Sequence, residues 1–147
     1  MYQDWLVNTV VVAGTAAAVC LSVLLHYEGL SFASQKLPRL GVRRRVKVLY
    51  GIGCVLLLHM LEIWLFGLAL WLLLLWPATG TLGPGAQHFF DFVYFSAVTF
   101  TTVGFGDLVP VGPIRFLSGM EALTGFVLIA WSASFTYLEM ERFWRAA

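Results

Sequence analysis

Three long apolar stretches constrain the fold of this chain more than any other feature. They run from about Trp5 to Leu25, from about Val46 to Trp76 and from about Ile114 to Leu138. A helix needs about 20 residues to cross the ~30 Å hydrocarbon core of a bilayer, so each stretch can span a membrane once. Because lipid offers no hydrogen bonds to the backbone, spans of this kind are helical. The sequence therefore predicts an all-α membrane protein with three transmembrane helices.

The composition agrees with this prediction. Hydrophobic residues make up 60% of the 147 residues and charged residues only 12%, whereas a soluble domain of this length would need a more charged surface. The two cysteines, Cys20 and Cys54, lie in apolar stretches without metal-binding spacing, so we expect small buried side chains. Asp4 is the first charge and no basic segment precedes the first stretch. We therefore expect a retained span rather than a cleaved signal peptide.

The segment between the second and third stretches differs from both. Pro77 to His88 is rich in glycine and proline and is uncharged, which is typical of a loop. The next 12 residues, Phe89 to Phe100, are apolar but too few to span. They predict a short re-entrant or buried helix. Asp91 lies near its start, where a carboxylate complements the helix dipole.

The basic residues predict the orientation. Six of the nine lysines and arginines lie between the first two stretches: Lys36, Arg39, Arg43, Arg44, Arg45 and Lys47. The positive-inside rule puts this segment, and the C-terminus, in the cytoplasm. Three spans then leave the N-terminus and the short helix outside. We interpret Arg43 to Arg45 as a topology determinant in contact with lipid headgroups, with regulatory binding of an anionic lipid as the alternative.

The residues after the short helix carry a specific motif. Thr101 to Asp107 reads Thr-Thr-Val-Gly-Phe-Gly-Asp, which closely resembles the signature of potassium channels, with Phe105 where tyrosine is commonest. The resemblance covers residues 89–137, about a third of the chain. It implies a passive K⁺ channel with a backbone-carbonyl selectivity filter. The chain then divides into a first transmembrane helix (1–26), a basic cytoplasmic loop (27–47) and a pore domain (48–147) with outer helix, pore helix, filter and inner helix.

The filter motif has a physical basis. Backbone carbonyls can cage a dehydrated ion only if successive residues alternate in handedness, and Gly104 and Gly106 adopt positive φ at little cost. The predicted ion-binding residues are Thr102, Val103, Gly104, Phe105 and Gly106, with the Thr102 hydroxyl adding an oxygen. One chain supplies one side of each oxygen ring, so we expect a homotetramer with cyclic symmetry. We expect no cofactor besides the permeating K⁺ and no nucleic-acid partner.

Residues around the filter are predicted to support it. Tyr94, Phe95 and Phe105 could form an aromatic collar. Relatives often carry an acid on the pore helix that partners the filter aspartate, but Val98 stands at that position here. We therefore expect Asp107 to find another partner, such as the Tyr94 hydroxyl.

Four residues are candidates for gating, each with an alternative interpretation. Gly125 lies near the flexible glycine of the inner helix in relatives, and is either a hinge or a packing residue. Glu121 is either a hydrogen-bonding acid behind the filter or an interfacial carboxylate. His59 and Glu62 share one helix face. They form a proton-sensitive switch, or a polar clasp between the first two spans, or Glu62 is neutral and bonded to a hydroxyl.

Other functions are less well supported by the sequence. A non-selective cation channel typically departs from the motif at the position of Phe105. A non-conducting accessory or transporter subunit is the second alternative, but such transporters repeat a degenerate filter four times in one chain. His59 and Glu62 are the only support for an intramembrane enzyme, without an HExxH motif or nucleophile elbow. We therefore predict a channel of a plasma membrane, bacterial by its compact build, and not an enzyme.

The orientation can be tested by thiol labelling. A cysteine placed between Thr79 and Gly85 should react with an impermeant reagent added outside, and one near Arg43 only from inside, because the basic segment stays in the cytoplasm. The parent chain, with Cys20 and Cys54, is the control. The reverse pattern would contradict the orientation.

Overall fold

The computed structural model describes residues 4–39, 41–86 and 88–145. Within these ranges the chain forms four α-helices: α1 (Trp5–Lys36), α2 (Arg44–Leu74), α3 (Phe89–Phe100) and α4 (Arg115–Arg145). By length and composition, α1, α2 and α4 can each cross a membrane, and α3 is a shorter apolar helix. The predicted all-α fold with three membrane-length helices is confirmed, and the short helix lies at the predicted residues.

The first helix is longer than the sequence predicted. It continues past position 26 to Lys36 and ends in a 3₁₀ turn, Leu37–Arg39, that contains Pro38. No proline interrupts the chain before that point, and a helix commonly ends just before a proline. Since α2 already begins at Arg44, most of the segment 27–47 is helical and the connection itself is short.

One face of α1 packs against both α2 and α4. Its buried residues recur every three or four positions, as the contact face of a helix requires. They are Val7, Val11, Thr15, Ala18, Ser22, His26, Leu30 and Ala33. Most of these side chains are small or polar, which allows close backbone approach and hydrogen bonding between membrane helices.

The short helix α3 lies against α2 and α4. Around it, Phe66, Leu70, Phe95, Phe100, Ile114 and Leu117 form a buried cluster. The backbones of α2 and α3 approach closely, because a Cβ on Gly67 would lie 3.0 Å from the Val93 Cα. The core of the fold is therefore built around α3, although α3 is too short to span.

A two-residue backbone bridge joins the segment before α3 to the segment after it. Thr81 and Val111 exchange backbone hydrogen bonds of 3.0 and 2.8 Å. Gly80 adopts φ 131° beside this bridge, and a Cβ there would lie 2.1 Å from the Val111 carbonyl oxygen. The segment before α3 and the segment after the predicted filter are thus held together.

Helix α4 contacts the end of α3 at Gly125. A Cβ at this position would lie 2.1 Å from the carbonyl oxygen of Phe100, and Phe100 is completely buried. Glycine is therefore required by the close approach of two backbones. This contact is what the packing interpretation of Gly125 requires, and the hinge interpretation stays a prediction.

The Gly125 contact leads to a stability prediction. Gly125→Ala should lower the free energy of unfolding by about 1–3 kcal/mol, the usual cost of overpacking, because α3 or α4 must shift. The measurement is the melting temperature in detergent. Gly53→Ala in α2 is the matched control, since a Cβ there meets no atom within 4 Å. Equal melting temperatures for the two variants would contradict the packing role.

Candidate ion-conduction site

The start of α3 is held by a reciprocal cap. The Asp91 carboxylate accepts a hydrogen bond from the backbone N–H of His88 at 2.7 Å, and the backbone N–H of Asp91 donates to the His88 carbonyl oxygen at 2.9 Å. This arrangement satisfies donors that the helix itself cannot pair. The negative charge of Asp91 also complements the amino end of the helix dipole, as the sequence predicted.

Ser96 connects the middle of α3 to both neighbouring helices. Its hydroxyl donates to the backbone carbonyl of Ile63 in α2 at 2.8 Å and hydrogen-bonds to the carboxyl group of Glu121 in α4. Glu121 is completely buried. The structure therefore places Glu121 against the short helix α3, and its position behind a selectivity filter stays a prediction.

The backbone after α3 alternates in handedness. Thr102, Gly104 and Gly106 have φ values of 61°, 55° and 81°, and the intervening residues Val103 and Phe105 do not have positive φ. Two amides of this segment bond back to the end of the helix. The Thr102 N–H donates to the Thr99 carbonyl at 2.9 Å, and the Gly104 N–H donates to the Val98 carbonyl at 3.0 Å.

The alternation includes one residue that sequence reasoning missed. Only the glycines were expected at positive φ, but Thr102 shares that conformation. A β-branched residue in the left-handed region is strained by about 1–3 kcal/mol. Such strain persists only where the surroundings impose it, and here the Thr102 amide is tied to Thr99. The motif itself was the available signal, because strict alternation about Gly104 and Gly106 implies a third such residue at 102.

The carbonyls of residues 102–105 accept no backbone hydrogen bond from the part of the chain that the structure describes. The segment is also uncovered, with Val103 57% and Phe105 71% exposed in the single chain. An unpaired carbonyl row is costly within a membrane unless it lines water or is covered by protein. The row therefore has the chemistry of an oxygen ligand set for a hard cation.

The aromatic residues near the filter occupy different environments in one chain. Phe95 is buried in the core, Tyr94 is partly exposed and Phe105 is mostly exposed. The predicted collar would thus require neighbouring subunits, and it stays a prediction. The Asp107 carboxylate lies close enough to Tyr94 to raise the pKa of the Tyr94 phenol, first through hydrogen bonding, with desolvation and the carboxylate charge acting in the same direction. Asp107 as the hydrogen-bond partner of Tyr94 stays a prediction.

The polar residues of α2 form a cluster with α1. The two oxygens of the Glu62 carboxylate lie 2.7 Å from Nδ1 of His26 and 2.8 Å from Nδ1 of His59. His26 and Glu62 are completely buried. This is the geometry of a clasp between the first two spans, with imidazole partners on both sides of the carboxylate.

His26 was not identified as a site residue from the sequence. The available signal was weak: His26 is a polar residue near the end of the first apolar stretch, four positions after Ser22. Spacing along one helix predicts which side chains share a face. It does not predict which other helix that face contacts, so the partnership with Glu62 appears only in the structure.

Known proteins resemble this chain over the region just described. A family model described as "Ion channel" matches residues 46–140. The chain is 40% identical over 60 residues to the inward rectifier potassium channel Kirbac3.1 of Paramagnetospirillum magnetotacticum. This match covers 40% of this chain and 20% of that protein. The chain is 36% identical over 52 residues to Protein LctB of Geobacillus stearothermophilus, covering 35% of this chain and 39% of that protein.

The chain thus spans about a fifth of the first relative and about two fifths of the second. No solved structure matches the chain. The family match, however, covers nearly two thirds of the chain and includes α3, the filter segment and almost all of α2 and α4. The chain therefore belongs to this ion-channel family, and is a membrane channel protein rather than an enzyme.

Proposed function

We propose that this chain is one subunit of a potassium-selective channel, which conducts K⁺ passively through the carbonyls of Thr102 to Phe105. The observation that carries the proposal is the left-handed backbone at Thr102, Gly104 and Gly106 in a segment whose carbonyls lack backbone partners in the described chain. Such carbonyls can replace the hydration shell of K⁺ as it enters the membrane.

The same observation supports a homotetramer. One chain supplies a single strand of carbonyls, and a cage around an ion needs oxygens on all sides. Four copies related by cyclic symmetry close the rings and shield the exposed backbone, which membrane depth requires. The exposed ring of Phe105 would then pack against the neighbouring subunit, where it could join the predicted aromatic collar.

Selectivity for potassium, rather than for cations in general, is supported by two features. The motif is complete and keeps an aromatic residue at Phe105. The relative from Paramagnetospirillum is itself named an inward rectifier potassium channel, although the match covers a fifth of its length. Neither feature favours a non-conducting or transporter subunit.

The proposed orientation follows the basic connection between α1 and α2. With this connection in the cytoplasm, α3 and the filter enter from the outer side. Arg43 and Arg45 are exposed and could contact anionic lipid headgroups. The Arg44 side chain, which shares this prediction, lies outside the described residues.

Flux measurements test the central proposal. Purified protein in liposomes should pass K⁺ and strongly reject Na⁺, and Ba²⁺ should block the flux because it matches the radius of K⁺ with twice the charge. Gly104→Ala should abolish flux. A Cβ at Gly104 meets no atom of its own chain within 4 Å, so within the chain the loss would report the φ of 55° rather than a clash.

The control for this variant is Gly53→Ala, a helical glycine whose Cβ would also meet no atom within 4 Å. It should retain the flux of the unmodified chain. Folded protein that passes Na⁺ as readily as K⁺ would contradict potassium selectivity, and full flux through Gly104→Ala would contradict the assignment of the filter.

The assembly prediction is tested independently of flux. Native mass spectrometry of the protein released from detergent micelles should show four chains, because each chain provides one strand of the filter. The inner helices should be central, with α2 behind them. A stable dimer as the largest species would contradict the tetramer, whatever the flux assay shows.

A further inference from the structure

A cluster of three potential metal ligands lies inside the helix bundle, apart from the filter motif. It consists of His26 on α1 and of His59 and Glu62 on α2, and is called the His-Glu-His cluster below. One ligand atom from each residue lies within 4.8 Å of the other two. The side chains of His26 and Glu62 are completely buried, and that of His59 is 14% exposed.

We propose that the His-Glu-His cluster binds a divalent transition-metal ion of the zinc class. Two imidazole nitrogens and one carboxylate are a donor set that zinc uses in protein sites with one open position. Imidazole also favours zinc, copper or nickel over magnesium or calcium.

The spacing of the donors suits one shared ion. Tetrahedral ligands about 2.0–2.2 Å from zinc lie about 3.4 Å from one another. The two nitrogen–oxygen distances, 2.7 and 2.8 Å, are shorter than this separation. The upper limit on the distance between any two of the three ligand atoms, 4.8 Å, is longer. Binding of one ion would therefore widen the two nitrogen–oxygen separations by about 0.6–0.7 Å.

The surroundings of His26 are those of a supported metal ligand. Its second ring nitrogen, Nε2, lies 3.4 Å from the Ser132 hydroxyl of α4. Metal-binding histidines usually bond through the other nitrogen to a polar partner, which fixes the tautomer and the ring orientation. The Trp131 ring packs against the His26 ring at a centroid distance of 5.2 Å. His26 is therefore oriented by α4 while its Nδ1 faces α2.

The charge around the cluster also favours a cation. One carboxylate offsets half of a doubly charged ion, and the remaining charge would be costly at membrane depth. Phe100 is the last residue of α3, and its ring lies 5.7 Å from that of His59. The carboxyl end of this helix, which carries a partial negative charge, is thus about one side chain away from the cluster.

An ion could reach the cluster through a crevice between α2 and α4. This crevice has a volume of about 460 Å³ and is lined by both His59 and Ser132. It extends to Ile52 on α2 and Met140 on α4, toward the ends that the charge distribution predicts to be cytoplasmic. An entry path that ends at a partly exposed ligand is one requirement of a metal site.

Cobalt binding tests the proposal on the intact protein in detergent, after removal of any affinity tag and treatment with a chelator. We expect one Co²⁺ per chain with the intense visible absorption of tetrahedral coordination. His26→Gln and Glu62→Gln should each lower the affinity at least tenfold, because each removes one of three ligands. At the same Zn²⁺ concentration, the melting temperature of the unmodified protein should rise more than that of either variant.

The matched control is His88→Asn. His88 caps α3 and is not one of the clustered residues, and asparagine preserves an N-cap oxygen. This variant should bind Co²⁺ as the unmodified protein does. Equal binding by the control and by His26→Gln would place the ion elsewhere and overturn the proposal.

If the glutamine variants do not fold, His26→Cys tests the metal site instead. Thiolate is also a good ligand for this class of metal, so the variant should keep Co²⁺ and gain a thiolate-to-cobalt charge-transfer band. Folded His26→Cys without that band would overturn the proposal. Unmodified protein that binds no Co²⁺ would do the same, leaving the cluster as a hydrogen-bonded clasp. None of these measurements depends on ion flux, so the proposed channel function stands or falls separately.

Discussion

A 12-residue helix that cannot span the membrane must be held in place by its neighbours, and the rest of this structure depends on that constraint. Isolated helices of such length are marginal even in water. Here α3 is held by Ser96, whose hydroxyl hydrogen-bonds to the Ile63 carbonyl of α2 and to the Glu121 carboxyl group of α4. Because the backbone of the predicted filter segment bonds to the last turn of α3 through Thr102 and Gly104, any displacement of the helix would displace that segment.

Two glycines allow the neighbouring helices to pack this closely against α3. Gly67 allows the backbone of α2 to approach α3 at Val93, and Gly125 allows α4 to approach the carbonyl of Phe100. Glycines within membrane helices are commonly explained by flexibility, but here they remove the side chains that would keep the helices apart. The close approach on both sides fixes the position of α3 without any strand or disulfide in the described part of the chain.

The fixed position of α3 offsets an unfavourable local structure. The predicted filter segment carries a β-branched residue in the left-handed region at Thr102 and a row of carbonyls without backbone partners in the described chain. Local rules are broken in this way mainly at functional sites, where the surrounding fold supplies the compensating stability. The buried cluster around Phe66, Phe95 and Ile114 is the compensating structure in this chain, and it includes Phe100, the last residue of α3 before the strained segment.

Much of this arrangement could be predicted from the sequence, for reasons that are local. The span-length helices followed from apolar length. The bounds of α3 followed from a short apolar run between a Gly/Pro-rich loop and a glycine motif. The proximity of Asp107 to Tyr94 followed from Val98 replacing the usual acid. The extension of α1 to Lys36 was missed because the apolar pattern fades at His26, although the helix itself has no reason to stop there before Pro38.

The contacts between helices could not be predicted from the sequence, and they change the interpretation of α1. Interhelical hydrogen bonds help drive association in lipid, where apolar surfaces gain nothing by leaving the solvent. On α1, His26 is completely buried and supplies such contacts, to Glu62 of α2 at 2.7 Å and to Ser132 of α4 at 3.4 Å. Without α1, Glu62 would keep, among the described residues, only His59 as a hydrogen-bond partner, and an under-paired acid at membrane depth is costly. The first helix is therefore an integral part of the packing of α2 and α4, and not only a membrane anchor attached to them.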